Sequence, residues 1–123
     1  MLFDHLGFNV SNLVAAKAFL TQALAPLGVG ITMEGDGWAM IGRKGEGNLW
    51  FGSFGPSPGP IHIAFAANNR QQVRDFYAAA LAAGGKDNGP PGLRPDYHPN
   101  YYGAFVIGPD GHNIEAVCHA PEP

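Results

Sequence analysis

Cysteine is almost missing from this chain. Cys118 stands alone, so no intrachain disulfide can form, and a cytoplasmic setting is the expectation. Charge is scarce as well. Charged residues are 14% of the 123, with a net charge of -3, which leaves no electrostatic case for nucleic acid or an anionic membrane as partner. No apolar run reaches the roughly 18 residues that a membrane span needs. The opening Met-Leu-Phe-Asp-His has no basic region leading into a long apolar core, so no signal peptide is expected. The glycines form no phosphate-cradling loop, no dense cluster of cations is present, and no Ser-His-Asp order can be read. What the chain does have is 46% apolar residues, 18 glycines and 11 prolines. That composition suits a single folded domain with many turns and much sheet.

Patterning along the chain fills in that outline. Residues 2–10 alternate, with Leu6, Phe8 and Val10 facing one way and His5, Gly7 and Asn9 the other, as a half-buried strand requires. Ser11 is the expected N-cap of a helix whose apolar residues recur from Leu13 to Leu27, and Gly28 is its stop. Residues 30–34, 37–42 and 48–52 are expected to be short strands separated by glycine-containing turns, and 53–60 a linker. The pattern then restarts. A shift of 57 carries His5 onto His62, Phe8 onto Phe65, Phe19 onto Phe76, Leu24 onto Leu81 and Gly28 onto Gly85 without a gap. A strand at 61–67 and a helix at about 69–83 follow. Gly89 to Tyr101, with four prolines, is expected to be an irregular insertion that serves as a mobile lid. Beyond it the offset becomes 65, so that Asn48-Leu49-Trp50 matches Asn113-Ile114-Glu115. The chain closes on a hairpin, Tyr102–Ile107 and Asn113–His119, around Gly-Pro-Asp-Gly.

The reading is an α+β fold of two tandem βαβββ modules, about 1–57 and 58–123, forming an open cup-shaped mixed sheet with the helices on its convex side. Alternation puts His5, His62 and Glu115 on the concave side. Ile63, Phe65, Ile114 and Cys118 then face the helices. An acid in the middle of the last strand needs a partner, because an unpaired buried carboxylate is costly.

The stretch from His5 to Leu24 resembles the opening signature of the vicinal oxygen chelate superfamily. This group holds glyoxalases, bleomycin-resistance proteins, fosfomycin-modifying transferases and extradiol dioxygenases. Gly108-Pro-Asp-Gly-His-Asn-Ile-Glu115 resembles the closing signature, with Gly108 where an acid is usual. The resemblance implies a homodimer and a divalent metal, with iron, manganese, zinc and nickel as the candidate ions. Its metal positions fall on His5, Trp50, His62 and Glu115. Trp50 cannot ligate, which leaves His5, His62 and Glu115. Two imidazoles and a carboxylate leave coordination positions open for two substrate oxygens. The expected activity is that of a glyoxalase-like lyase or isomerase, with Glu115 as base and His119 as a proton donor. Trp50, His98, Tyr101 and Tyr102 are candidate substrate contacts, whereas His112, in the turn, is expected to be solvated. Three other readings stand beside this one: a metal-free binding protein of the bleomycin-resistance type, a ring-cleaving dioxygenase, and a thiol transferase.

Overall fold

The computed structural model describes residues 3–122, so Leu2 of the expected first strand and the final Pro123 lie outside the described residues. Eight strands and two helices follow in order: β1 (Leu6–Asn9), α1 (Leu13–Leu24), β2 (Gly30–Gly35), β3 (Trp38–Gly42), β4 (Leu49–Gly52), β5 (His62–Ala66), α2 (Arg70–Ala82), β6 (Lys86–Leu93), β7 (Tyr102–Ile107) and β8 (Asn113–Cys118). They form two four-stranded mixed sheets, ordered β1-β4-β3-β2 and β5-β8-β7-β6. The repeat read from the sequence is therefore a structural one. In each module the first strand runs parallel to the last, and the ladder sets Gly7 beside Trp50 and Ala64 beside Glu115. These are the positions that the two offsets make equivalent.

Both helices start on an asparagine. The Asn12 side chain accepts the Ala15 N–H and the Asn69 side chain accepts the Gln72 N–H. A cap of this kind contributes about 1 kcal/mol by satisfying a backbone donor that has no partner within the helix. Ser11, the expected cap, has a different task. Its N–H donates to Asp110 Oδ2 at 3.0 Å and its hydroxyl donates to Asp110 Oδ1. Asp110 sits in the short turn Pro109–Gly111 with a positive φ of 62°, so an end of the first module clasps the closing turn of the second. After α1 a single 3-10 turn, Ala25–Leu27, ends at Gly28, whose φ of 75° is open to glycine at no cost.

One contiguous core joins the modules. α1 contributes Ala16, Phe19, Leu20, Ala23 and Leu24, and α2 contributes Val73, Phe76 and Ala80. They bury Ile41 and Phe51 of the first sheet and Val106, Ile114 and Cys118 of the second. The Phe19 ring crosses from the first module to the second. A Cβ on Gly85 or Gly108 would lie within 3 Å of it (2.9 and 2.8 Å), so both glycines are there to admit the ring.

Gly89–Tyr101 departs from expectation. Its first part belongs to β6, which continues through Pro90 and Pro91 as the edge strand of the second sheet, with register shifts between Asp87 and Gly92. Proline is tolerated there because an edge strand can turn its missing donor to the outside and absorb the misfit as a bulge. Only residues 94–101 are irregular, and they are tied by Arg94 N–H to Tyr101 O (2.7 Å) and Tyr101 N–H to His98 O (3.0 Å).

Candidate metal centre

β8 is the middle strand on which this site is built. Its neighbours on either side, β5 and β7, bring His62 and Phe105 to the face that carries Glu115. Glu115 is 1% exposed. Its Oε2 accepts the Tyr101 hydroxyl hydrogen, and its Oε1 lies 3.0 Å from His62 Nε2. That second contact lacks hydrogen-bond alignment, so Oε1 is buried without a hydrogen-bonding partner. The other His62 nitrogen, Nδ1, is 3.1 Å from the carbonyl of Asn113. A carbonyl can only accept, so Nδ1 carries the proton and a neutral His62 turns the Nε2 lone pair toward a carboxylate oxygen. Two lone-pair donors at that distance need a positive centre in common, either a proton or a metal ion. An imidazole whose second nitrogen is fixed by a backbone carbonyl is also the usual form of a metal-bound histidine. His62 and Glu115 therefore fit a divalent ion as two of its ligands.

The expected third ligand is not brought to them by the same chain. β1 starts one residue after His5, which is exposed and has its Nδ1 2.7 Å from Asp4 Oδ1. Among the described residues no group of three His, Cys, Asp or Glu side chains converges to hold an ion. β1 and β5 are edge strands of separate sheets, and the equivalence of His5 and His62 in the repeat does not bring them into one ligand group.

Tyr101 is a partner of Glu115, a role that the sequence did not disclose. Burial first, then the hydrogen bond to Glu115, pushes its phenol well above the ordinary tyrosine value, so it keeps its proton and stays a donor. Gly103 makes this contact possible: a Cβ there would stand 3.1 Å from Glu115 Oε2 and 3.2 Å from the Tyr101 ring. A glycine inside a β-run is the signal that could have found it. His119 is exposed just past β8. Its ring meets Tyr101 edge-on at 5.1 Å and His98 at 5.4 Å. His98 Nδ1 accepts the Asn100 N–H at 3.0 Å, which anchors that ring within the irregular segment.

The remaining candidates lie elsewhere. Tyr102 is on the helix side, its ring beneath the guanidinium groups of Arg70 (5.1 Å) and Arg74 (5.8 Å), and its hydroxyl accepts from Arg74. Alternation puts it one residue out of phase with Glu115's face, so it is not brought together with the His62–Glu115 pair. Trp50 is half-buried on the non-core face of the first sheet and stacks with Phe54 at 5.9 Å. Close approach to Gly7 and Gly52 lets its ring lie flat on the sheet. The expectation for His112 also fails. It is buried at 3% exposure, its Nδ1 accepts the Ile61 N–H at 3.0 Å, and its Nε2 has no partner. Burial lowers its pKa, opposed in part by Asp110, because an imidazolium there would lack solvation.

The family model described as "Glyoxalase/Bleomycin resistance protein/Dioxygenase superfamily" matches residues 2–116. The chain belongs to this superfamily. Among solved structures, a glyoxalase/bleomycin resistance protein from Albidiferax ferrireducens T118 is 27% identical, with a TM-score of 0.84, and the match covers 96% of this chain and 99% of that one. A glyoxalase-related enzyme from Fulvimarina pelagi, at 15% identity and a TM-score of 0.73, shares the fold over 96% of this chain and 88% of its own. A glyoxalase I mutant from Zea mays, at 21% identity and a TM-score of 0.68, matches over 94% of this chain and 45% of its own. No curated protein sequence matches the chain. Membership of the glyoxalase superfamily accounts for the paired modules. No helix among the described residues is long and apolar enough to cross a membrane.

Proposed function

We propose that this glyoxalase-superfamily protein is a homodimeric, metal-dependent enzyme of the lyase or isomerase type. In this reading His62 and Glu115 of one copy and His5 of the other hold the ion. The observation that carries it is the His62–Glu115 pair itself: Nδ1 is anchored on Asn113 O, and Nε2 and a hydrogen-bond-free Oε1 are turned on one point. A second copy is invoked because His5 is left outside by its own chain. The open edges of β1 and β5, with a hollow of about 590 Å³ lined by both, are a surface onto which that copy fits.

A bound divalent ion would supply Lewis acidity toward two adjacent oxygens of a substrate. Everything else is done by the chain. His62 and Glu115 fix the donor atoms, and Tyr101, held protonated, keeps the Glu115 carboxylate from turning. His119 is exposed against the Tyr101 ring and is placed to exchange protons with solvent. Trp50, at the position where a fourth ligand would stand, offers an apolar wall with Phe54 instead. His98 borders the same segment as Tyr101.

The test is metal content, with iron, manganese, zinc and nickel all measured on protein purified without chelator. His62→Ala and Glu115→Gln should each lose metal. His5→Ala should lose it too, and mixing and refolding His5→Ala with His62→Ala should restore part of it, because half of the sites in a mixed dimer are then intact. A metal-free wild type supplied with excess ion would instead favour a binding protein whose ligand lies on the Trp50–Phe54 wall.

A further inference from the structure

We infer that Arg94 is a carboxylate-binding residue beside the His62–Glu115 pair, and that the substrate is an anion carrying a carboxylate apart from its vicinal oxygens. The second half of the statement rests on the metal-centre reading; the first does not. The Arg94 guanidinium lies 5.4 Å above the ring of Phe105. That ring is the ladder partner of Glu115 and stacks on His62 at 6.1 Å and 25° between planes. The cation is therefore one aromatic ring away from the proposed ligands and on their side of the sheet.

The chain is built to hold it there. Nη2 donates to Pro90 O at 2.7 Å and Nη1 to Leu93 O at 3.5 Å. A Cβ on Gly89 would stand 3.2 Å from Nη2, and one on Gly92 3.0 Å from Nη1. The Gly-Pro-Pro-Gly-Leu-Arg run thus bends β6 around its own arginine, with a glycine on either side leaving room for the guanidinium. Gly89 has a φ of 150°, which favours glycine there for a second reason. Both hydrogen-bond acceptors are neutral carbonyls, and none of the ion pairs among the described residues includes Arg94. A half-buried cation stacked on an aromatic face, with donors to spare and no ion pair to a carboxylate among the described residues, is a docking point for a planar anion.

The space is present. An open hollow of about 280 Å³ is lined by Asn88, Gly89, Arg94, Tyr97, Phe105 and Asn113. Asn113 is on the Glu115 face of β8, and its side-chain oxygen is buried without a hydrogen-bonding partner. Asn113 also fixes His62 through its backbone carbonyl, so one residue borders both halves of the site.

The test compares two five-carbon keto acids on manganese-loaded protein by calorimetry. 2-Oxoglutarate and 2-oxopentanoate offer the same vicinal oxygens, and only the first has a distal carboxylate. 2-Oxoglutarate should bind roughly tenfold more tightly, the weight of one charge-assisted contact. Arg94→Gln should abolish that difference by weakening 2-oxoglutarate alone, while metal content and the urea midpoint stay at wild-type values. Arg94→Lys should keep part of it. Equal binding of the two acids to wild type, or equal weakening of both by Arg94→Gln, overturns the proposal. A second measurement needs no metal. Glutarate titrated into metal-free protein should shift the Arg94 Nε–H and Phe105 ring resonances in wild type, and the Phe105 ring should not respond in Arg94→Gln. Absence of any shift overturns the Arg94 site even if the metal centre is confirmed. A shift in protein that takes up no metal upholds Arg94 and removes only the vicinal-oxygen part.

Discussion

Replacing Tyr101 by phenylalanine removes a single oxygen, and its effect can be worked out from the surroundings of Glu115. That carboxylate is 1% exposed, and among the described residues its one hydrogen bond comes from the Tyr101 hydroxyl. Water cannot replace the lost donor without a new cavity, so the cost should fall at the upper end of the range for an unsatisfied buried acceptor, about 3 kcal/mol. Chemical unfolding in urea at pH 7, followed by tryptophan emission, measures it. Metal affinity should fall by roughly 10- to 100-fold, the usual penalty for losing a group that orients a ligand. The pH dependence gives an independent check. The folded-state value of the phenol is raised above its unfolded value of 10.0. The stability it contributes is thus fully present below pH 10 and is lost as the pH rises through the folded value. Tyr77 behaves likewise, from burial and its bond to Asp87, so Tyr101→Phe should flatten the alkaline loss of stability without abolishing it. Unchanged stability at pH 7 together with unchanged metal affinity would refute the reasoning.

Other substitutions probe the rest of the frame. Asp110 is held below the ordinary carboxylate range chiefly by the Ser11 hydroxyl. Its contribution is present above the unfolded value of 3.8 and lost as the pH falls through the folded one, and Asp110→Gly should cost about 2 kcal/mol at pH 7 in a urea titration, discounted for exposure. Asp110→Ala should cost about 1 kcal/mol more than the glycine variant, because alanine is strained at a φ of 62°. His112 is held below 6.5 by burial, so wild-type stability should fall as the pH drops from 6.5 toward the folded value; thermal melts of His112→Gln should show less of that slope. Phe19→Ala should cost about 3–5 kcal/mol, and a loss below 1 kcal/mol would show that this ring does not tie the modules together.

Much of the fold was legible because it is written twice. Neither strand alternation nor the offsets of 57 and 65 fix the register of β5 against β8, but the offsets make the two modules equivalent, and the ladder agrees by repeating Gly7–Trp50 as Ala64–Glu115. Legibility stopped where a residue works across the repeat or against its type. Ser11 reads as a helix cap from its neighbours in sequence, yet Asp110, 99 residues on, takes its donors. Prolines 90 and 91 read as a break, although an edge position tolerates them. Tyr101 stands in the sequence as a candidate substrate contact, but its pairing with Glu115 depends on the space left at Gly103, and a glycine inside a β-run was the one sign of it. Arg94 carries no mark of its placement in the sequence around it. Its stacking on Phe105 depends on a bulged strand that periodicity does not report.

The paired prolines of β6 also bear on how the protein behaves in a crowd. An outer strand with unpaired amides is an invitation to polymerise, and here two consecutive residues have no amide hydrogen to offer. A growing stack of chains could not register against that margin of the second sheet. The equivalent margin of the first sheet, β2, is unbroken by proline over Gly30–Gly35 and exposes Met33. Partly unfolded chains concentrated during refolding should therefore cross-link through β2, and a proline at Thr32 would be the place to stop them.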